Sequence, residues 1–234
     1  MKLRPFMLGC LLLLGSVALA ENVTFSTRAI VENPRDPKAS NSKNVVVWLT
    51  PVGVPAPALA TQKPYRLVQH DKKFDPHILV VPVGAVVEFP NHDPYFHNVF
   101  SLFEGKRFDL GLYEAGTTRT VRFDKVGVSY IFCNIHAQMS AVVISIPTPY
   151  YGISDSQGDI VIHDVPEGRY KLQVWYETAP EAIKSMTREV TLSERDSSIA
   201  PLKIEAANVP APHKNKYGHD YDPAEPASPA YERP

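Results

Sequence analysis

The stretch Cys133-Asn134-Ile135-His136-Ala137-Gln138-Met139 places a thiol, an imidazole and a thioether within seven residues, at two successive spacings of three. Short apolar runs bracket it, Val128 to Phe132 before it and Ala141 to Ile146 after it. Both runs have the length and the β-branched or aromatic content that are typical of strands. The sequence therefore predicts two strands joined by a loop that carries three side chains able to bind a metal.

A second imidazole lies upstream at His97, 36 residues before Cys133. Two histidines, one cysteine and a weak axial methionine are the ligand set of a blue-copper electron-transfer site. Zinc fits less well, because a thioether is a poor zinc ligand and structural zinc sites usually carry more cysteine. His97 must come from a different strand pair, so the folded protein is needed to complete the predicted copper site.

The chain from Tyr65 onward is patterned as short strands separated by turn residues at intervals of about eight to twelve residues, which indicates a β-sandwich or barrel. The nearest approach to a helix is Pro180 to Met186, with room for one or two turns. Apolar content is 44% and charged content 21%, which is enough for a packed core. We therefore predict an all-β fold.

Residues 64–147 resemble a cupredoxin of the plastocyanin and amicyanin kind. The resemblance is carried by Phe74-Asp75-Pro76, by Val83-Gly84 before Val86-Val87-Glu88-Phe89, by Asn91, by His97-Asn98-Val99 and by the stretch Cys133–Met139. It covers about a third of the chain. The spacing from His136 to Met139 is short, like that of amicyanin, and Ala137 stands where amicyanin has proline.

The resemblance implies a Greek-key β-sandwich with one mononuclear type 1 copper centre that carries one electron at a time. His97, Cys133, His136 and Met139 fall on the family's ligand positions. Asn98 falls on the asparagine that ties the two ligand loops together, a role in the shell behind the ligands. His136 would lie at the edge of the protein, as the port through which electrons pass.

The flanks of this region resemble a different family, the carboxypeptidase regulatory-like domain, which is a small transthyretin-like sandwich. The resembling stretches are Asp155 to Ile160, Asp164 to Trp175 and Val45 to Pro51. Neither flank has enough strands to form a sandwich alone. Our hypothesis is that 21–55 and 148–206 form one sandwich and that the cupredoxin, 64–147, is inserted within it. Pairing of Val45 to Leu49 with cupredoxin strands alone would contradict this.

Residues 1–20 have the pattern of a secretory signal peptide. Lys2 and Arg4 precede an apolar run from Phe6 to Val17, and Ala18-Leu19-Ala20 is a small-residue cleavage site. An uncleaved membrane anchor is the alternative, but the apolar run is short for a membrane span. We expect cleavage after Ala20, a periplasmic or secreted protein, and no stable membrane span afterwards.

Without this leader, the formal net charge changes from −1 to −3, because the leader carries two cations and no anion. A mildly acidic chain with no basic stripe argues against a nucleic-acid partner.

Cys10 would leave with the leader, so Cys133 would remain as the single cysteine. A lone cysteine in an oxidising compartment is either a buried apolar residue or a metal ligand. Its neighbours favour the ligand.

The end of the chain changes character, since six of its last 27 residues are proline. This composition predicts a disordered tail over 207–234. His213 and His219 lie in it, and both could bind copper, although solvent-exposed tail histidines are the simpler interpretation.

These observations predict an electron carrier that exchanges single electrons with protein redox partners and that is not an enzyme, because four protein ligands leave no open position for a substrate. We find no phosphate-binding glycine loop, nucleophile elbow or His-Glu-x-x-His motif. Two alternatives remain open. One is a copper-binding module for storage, delivery or sensing, and the other is an interaction protein in which copper is structural.

Overall fold

The computed structural model describes residues 21–36, 40–57, 64–102, 105–179, 184, 186–206 and 213–221. The prediction of an all-β fold is confirmed for these residues, because their extended regular elements are all strands. Lys184 and Met186, in the segment where helical turns were predicted, have helical conformation. The predicted leader lies outside the described residues. No helix within them is long and apolar enough to cross a membrane.

The described residues form seventeen strands in chain order: β1 Asn22–Glu32, β2 Val46–Pro51, β3 Tyr65–Arg66, β4 Val68–His70, β5 Lys73–Asp75, β6 Ile78–Pro82, β7 Val86–Pro90, β8 His97–Ser101, β9 Phe108–Tyr113, β10 Thr118–Arg122, β11 Gly127–Cys133, β12 Ser140–Ile146, β13 Tyr151–Ile153, β14 Asp159–Pro166, β15 Gly168–Trp175, β16 Arg188–Leu192 and β17 Leu202–Glu205.

The middle strands form a sandwich of two sheets. A five-stranded sheet has the order β6-β12-β11-β8-β9, and a three-stranded sheet has the order β10-β7-β3. Their facing side chains make one buried cluster, which includes Phe89 from the smaller sheet and Val99, Ile131 and Val143 from the larger. Successive side chains of a strand point to opposite faces of the sheet, and these residues lie on the faces that meet. Cys133 and Met139 belong to the same cluster.

The strands on either side of this region pair with one another. One sheet has the order β14-β1-β17, and the other has the order β13-β2-β15-β16. Phe25, Leu49, Ile160 and Leu172 are among the residues buried between them. Strand β2 pairs with β13 and β15, both from the C-terminal side of the chain. Among the described strands, those that pair with β2 therefore all come from the flank that follows residue 147.

A third buried cluster joins the two sandwiches. It contains Val46, Trp48 and Trp175 from the flanking strands and Val142 and Ile144 from β12. These residues lie on the outer faces of β2, β15 and β12, whose inner faces line the two other clusters. A strand buried on both faces needs a nearly continuous apolar run, and this explains why neither β2 nor β12 alternates with polar residues.

Candidate metal centre

Three strands bring the predicted ligands to one end of the five-stranded sheet. His97 is the first residue of β8, Cys133 is the last residue of β11, and Met139 directly precedes β12. Strand β11 pairs with both β8 and β12, and Cys133 lies opposite Val99 in this register. The neighbouring strand ends therefore place His97 beside the loop that joins Cys133 to Met139.

The three nitrogen and sulfur donors form a compact triangle. The His97 Nδ1 and His136 Nδ1 atoms are 3.1 Å apart, and the Cys133 Sγ atom is 3.7 Å from the first and 3.6 Å from the second. Trigonal coordination, with about 2.0 Å to nitrogen and about 2.3 Å to sulfur, predicts separations of about 3.5 Å and about 3.7 Å. Both nitrogen–sulfur separations agree with these values and the nitrogen–nitrogen separation is about 0.4 Å shorter, so the triangle has the size that one metal ion requires.

The fourth predicted ligand, Met139, lies in the protein core. Its side chain is fully buried in the cluster that also contains Cys133. The loop is closed by two backbone hydrogen bonds, from Cys133 N to Met139 O at 3.2 Å and from Met139 N to His136 O at 3.0 Å. These bonds hold the ends of the seven-residue loop together.

Asn98 links the two ligand segments through its main chain. Its carbonyl oxygen accepts a hydrogen bond from Asn134 N at 3.0 Å, and its backbone also hydrogen-bonds the Cys133 thiol. Its side-chain Nδ2 points elsewhere and donates to Asp109 Oδ1 at 2.6 Å. The backbone of Asn98 therefore links the two ligand segments, which is the role that the resemblance implied for this residue. Its side-chain amide instead binds the Asp109 carboxylate on β9.

The protonation of the donors follows from their burial. Burial lowers the pKa of His97, and burial together with the charges of His97 and Lys72 lowers the pKa of His136 to about 4. Both imidazoles are therefore neutral at pH 7 and keep a lone pair for a metal. Burial raises the pKa of the Cys133 thiol, against backbone hydrogen bonds that lower it. A metal binding there would displace the thiol proton.

The sequence did not reveal the role of Asp93. This residue lies four positions before His97, is only 5% exposed, and has its Oδ2 2.8 Å from His97 Nε2. The one available signal was its place in a polar run directly before a candidate ligand, and many loop aspartates share that feature.

The sequence also did not predict that residues 213–221 contact the ligand loop. The Tyr221 hydroxyl donates to Cys133 O at 2.7 Å, Lys216 N donates to Asn134 Oδ1 at 2.9 Å, and the His213 ring stacks on Phe132 at 4.2 Å. We call residues 213–221 the strap. The remainder of the predicted disordered tail, 207–212 and 222–234, lies outside the described residues.

No family model matches the chain, and no curated protein matches it. Among solved structures, a purple cupredoxin from Nitrosopumilus maritimus is 22% identical, covering 35% of this chain and 99% of that one at a TM-score of 0.32. An oxidized amicyanin variant is 19% identical, covering 39% and 90% at 0.34. A copper-containing nitrite reductase from Thermus scotoductus is 26% identical, covering 42% of this chain and 25% of that one at 0.35. These similarities involve less than half of the chain, and what we propose about function rests on the geometry of the site.

Proposed function

We propose that this protein is a type 1 copper electron carrier. The observation that carries the proposal is the triangle of His97 Nδ1, His136 Nδ1 and Cys133 Sγ. The buried Met139, at the end of the same loop, would add the thioether. Bound copper would supply a one-electron couple that this donor set serves in both charge states with little rearrangement. Within this proposal, His97 and His136 are the equatorial imidazoles, the Cys133 thiolate gives the main electronic coupling, and Met139 is the axial ligand.

The donor chemistry favours copper over zinc. The set has one thiolate and two imidazoles in a near-trigonal arrangement, whereas structural zinc sites are usually tetrahedral and rely on more cysteine. A buried thioether adds little to a zinc site but is the typical weak axial ligand of blue copper. The donor set also supports transfer of electrons over catalysis, because four protein ligands would leave no open position for a substrate.

The surroundings of the site support a route for electrons at His136. His97, Cys133 and Met139 are fully buried, whereas His136 is half-buried and is followed by the exposed Ala137 and Gln138. His136 is therefore the ligand nearest to solvent among the four, and we place contact with a protein redox partner there.

The same proposal includes the domain division and the location of the protein. We propose that 64–147 is a cupredoxin inserted in a transthyretin-like sandwich of 21–55 and 148–206. The support is that β2 pairs with β13 and β15, and that the flanking strands have a buried cluster of their own. The predicted leader supports a periplasmic or secreted protein.

Voltammetry of the copper-loaded protein tests electron transfer against copper storage or delivery. The proposal predicts one reversible one-electron wave, with copper retained in both oxidation states. Repeated reduction and reoxidation, followed by gel filtration and copper analysis, should return one copper per chain. Loss of copper on reduction would contradict a carrier and favour storage or delivery. Retention of copper that cannot be reduced would favour a structural metal.

A further inference from the structure

Asp93 is a buried carboxylate that joins a ligand of the proposed copper site to a neighbouring hairpin. Its Oδ1 accepts a hydrogen bond from Asp71 N at 2.6 Å, and its Oδ2 accepts one from Lys72 N at 2.9 Å. The same Oδ2 lies 2.8 Å from His97 Nε2. Backbone amides can only donate, so both oxygens of Asp93 act as acceptors, as those of an ionised carboxylate do. An ionised carboxylate has no proton to give, so the proton in the contact with His97 lies on Nε2.

The hairpin that supplies the two amides adopts a costly backbone conformation. Asp71 and Lys72, between β4 and β5, have φ angles of 52° and 54°. Two-residue hairpin turns of this kind favour Asn-Gly or Asp-Gly, because φ is positive at both positions. A lysine there costs about 1–2 kcal/mol relative to a glycine. The conformation directs two successive N–H groups at one carboxylate, which is the arrangement of an anion-binding nest.

Further contacts fix the loop that carries Asp93. Its own amide donates to Asn91 Oδ1 at 3.0 Å, and Asn91 Nδ2 donates to Tyr95 O at 2.7 Å. The Lys72 ammonium lies 4.6 Å from the centre of the Tyr95 ring. Asp93 is thus held from its own loop and from the hairpin, and this places its carboxylate independently of any metal.

We propose that Asp93 is the positioning residue of this site, an anion held by the Asp71–Lys72 turn that keeps His97 protonated at Nε2 and free to bind copper through Nδ1. This inference rests on the proposed copper function. A carboxylate behind a metal-binding imidazole orients the ring and raises its basicity. Its negative charge stabilises the oxidised, more highly charged form of the site more than the reduced form.

The test compares Asp93→Asn with Asp109→Asn. Asparagine keeps the shape of Asp93 but removes its charge, and it weakens the hydrogen bond to His97. We expect Cu(II) affinity to fall about 10- to 100-fold and the reduction potential to rise. Each tenfold loss of affinity for Cu(II), with affinity for Cu(I) unchanged, raises the reduction potential by about 59 mV. Asp109 is also a carboxylate near the site, but it contacts Asn98 and Lys216 and no ligand side chain, so Asp109→Asn should shift both quantities much less.

A measurement on the metal-free wild-type protein needs no variant and no copper. Nitrogen-15 NMR of the histidine rings should show His97 protonated at Nε2 and bare at Nδ1 at neutral pH. A His97 proton on Nδ1 would overturn the inference, and so would an unchanged affinity and potential in Asp93→Asn. If wild-type protein fails to form a blue copper site, the proposed function fails, and the NMR result still decides the contact between Asp93 and His97.

Discussion

At the scale of single residues, the two histidines of the site offer the same nitrogen for different reasons. The His97 Nδ1 atom is directed toward His136 and Cys133, because the Nε2 atom on the other side of the ring contacts the Asp93 carboxylate. His136 presents Nδ1 toward His97 and Cys133 and is the more exposed of the two rings. The sequence predicted all four candidate ligands by residue type and spacing. It could not predict which nitrogen each imidazole offers, because that depends on contacts made only in the fold.

Replacing Met139 with leucine tests the axial position. We expect Met139→Leu to keep the fold, at a cost below about 1.5 kcal/mol, and to raise the reduction potential by roughly tens of millivolts, because a weak donor to the oxidised metal is lost. Voltammetry of the copper-loaded variant measures this shift. Met186→Leu, at a partly buried position in the other sandwich, is the control and should leave the potential unchanged. If Met139→Leu and Met186→Leu had the same reduction potential, Met139 would not be a ligand.

At the scale of elements, the strands that the sequence predicted are those with strong apolar patterns. Val45 to Leu49 and Ala141 to Ile146 both appear as strands. Strand β2 begins one residue later and ends two residues later than the first run, and β12 begins one residue earlier than the second. Strand β13 was not predicted, because it has only three residues and lies at a sheet edge. Strands β4 and β5 form a short hairpin around Asp71 and Lys72. The positive φ angles of its turn have no sequence signal, since neither Asp71 nor Lys72 is a glycine.

The strain in this turn gives a prediction for Lys72→Gly. Glycine adopts positive φ without the steric cost of about 1–2 kcal/mol that lysine has there, but its greater freedom in the unfolded chain offsets about 0.4–1 kcal/mol of this gain. We therefore expect the free energy of unfolding to rise by roughly 0.5–1 kcal/mol, less any loss of the contact between Lys72 and Tyr95. The amide that binds Asp93 is retained, so the copper spectrum should not change. Lys73→Gly is the control, because Lys73 lies exposed in strand β5 and glycine there should destabilise the protein by about 0.5–1 kcal/mol. Chemical denaturation measures both changes in the free energy of unfolding, and changes of the same sign in the two variants would contradict this account.

At the scale of the whole molecule, two long-range features tie the site to distant parts of the chain. The strap reaches Cys133 from a position 88 residues later in the sequence. His77, directly before β6, contacts both Ser140 O at 3.2 Å and Glu177 of the other sandwich at 2.8 Å. Neither feature has a sequence signal, because each depends on single polar contacts between segments that look like ordinary loops. The proline content of the tail favoured a prediction of disorder over 207–234, a range that includes the strap.

The hydroxyl of Tyr221 should stabilise the ligand loop. Tyr221→Phe removes the hydrogen bond to Cys133 O, so we expect a loss of about 1 kcal/mol in the free energy of unfolding and faster release of copper to a chelator. The control is Tyr217→Phe, because the Tyr217 side chain in the same strap is 69% exposed. Equal behaviour of the two variants would show that the strap does not support the loop.

The pair of His77 and Glu177 should make the contact between the sandwiches depend on pH. The hydrogen bond to Glu177, with its charge, raises the pKa of His77 above its usual 6.5 against the opposing effect of burial. The folded state therefore favours protonated His77. The pair contributes its full share to the free energy of unfolding below pH 6.5, and this contribution is lost as pH rises through the raised pKa of His77. Both side chains are partly exposed, so the effect should stay below about 1 kcal/mol.

Chemical denaturation at about pH 5.5 and about pH 9 measures this dependence. His77→Gln should destabilise the protein more at the lower pH than at the higher one, and Glu177→Gln should show the same trend. A penalty that grows with pH would contradict the assigned direction of the His77 shift.

The absorption and electron paramagnetic resonance spectra of the purified protein after addition of one equivalent of Cu(II) test the central claim most directly. Our account predicts an intense visible band from the Cys133 thiolate and a type 1 copper resonance, both absent in Cys133→Ser. That variant replaces the thiol with a hydroxyl of similar size and leaves His97, His136 and Met139 in place. A colourless copper adduct of the wild-type protein, or a blue one that persists in Cys133→Ser, would contradict the account.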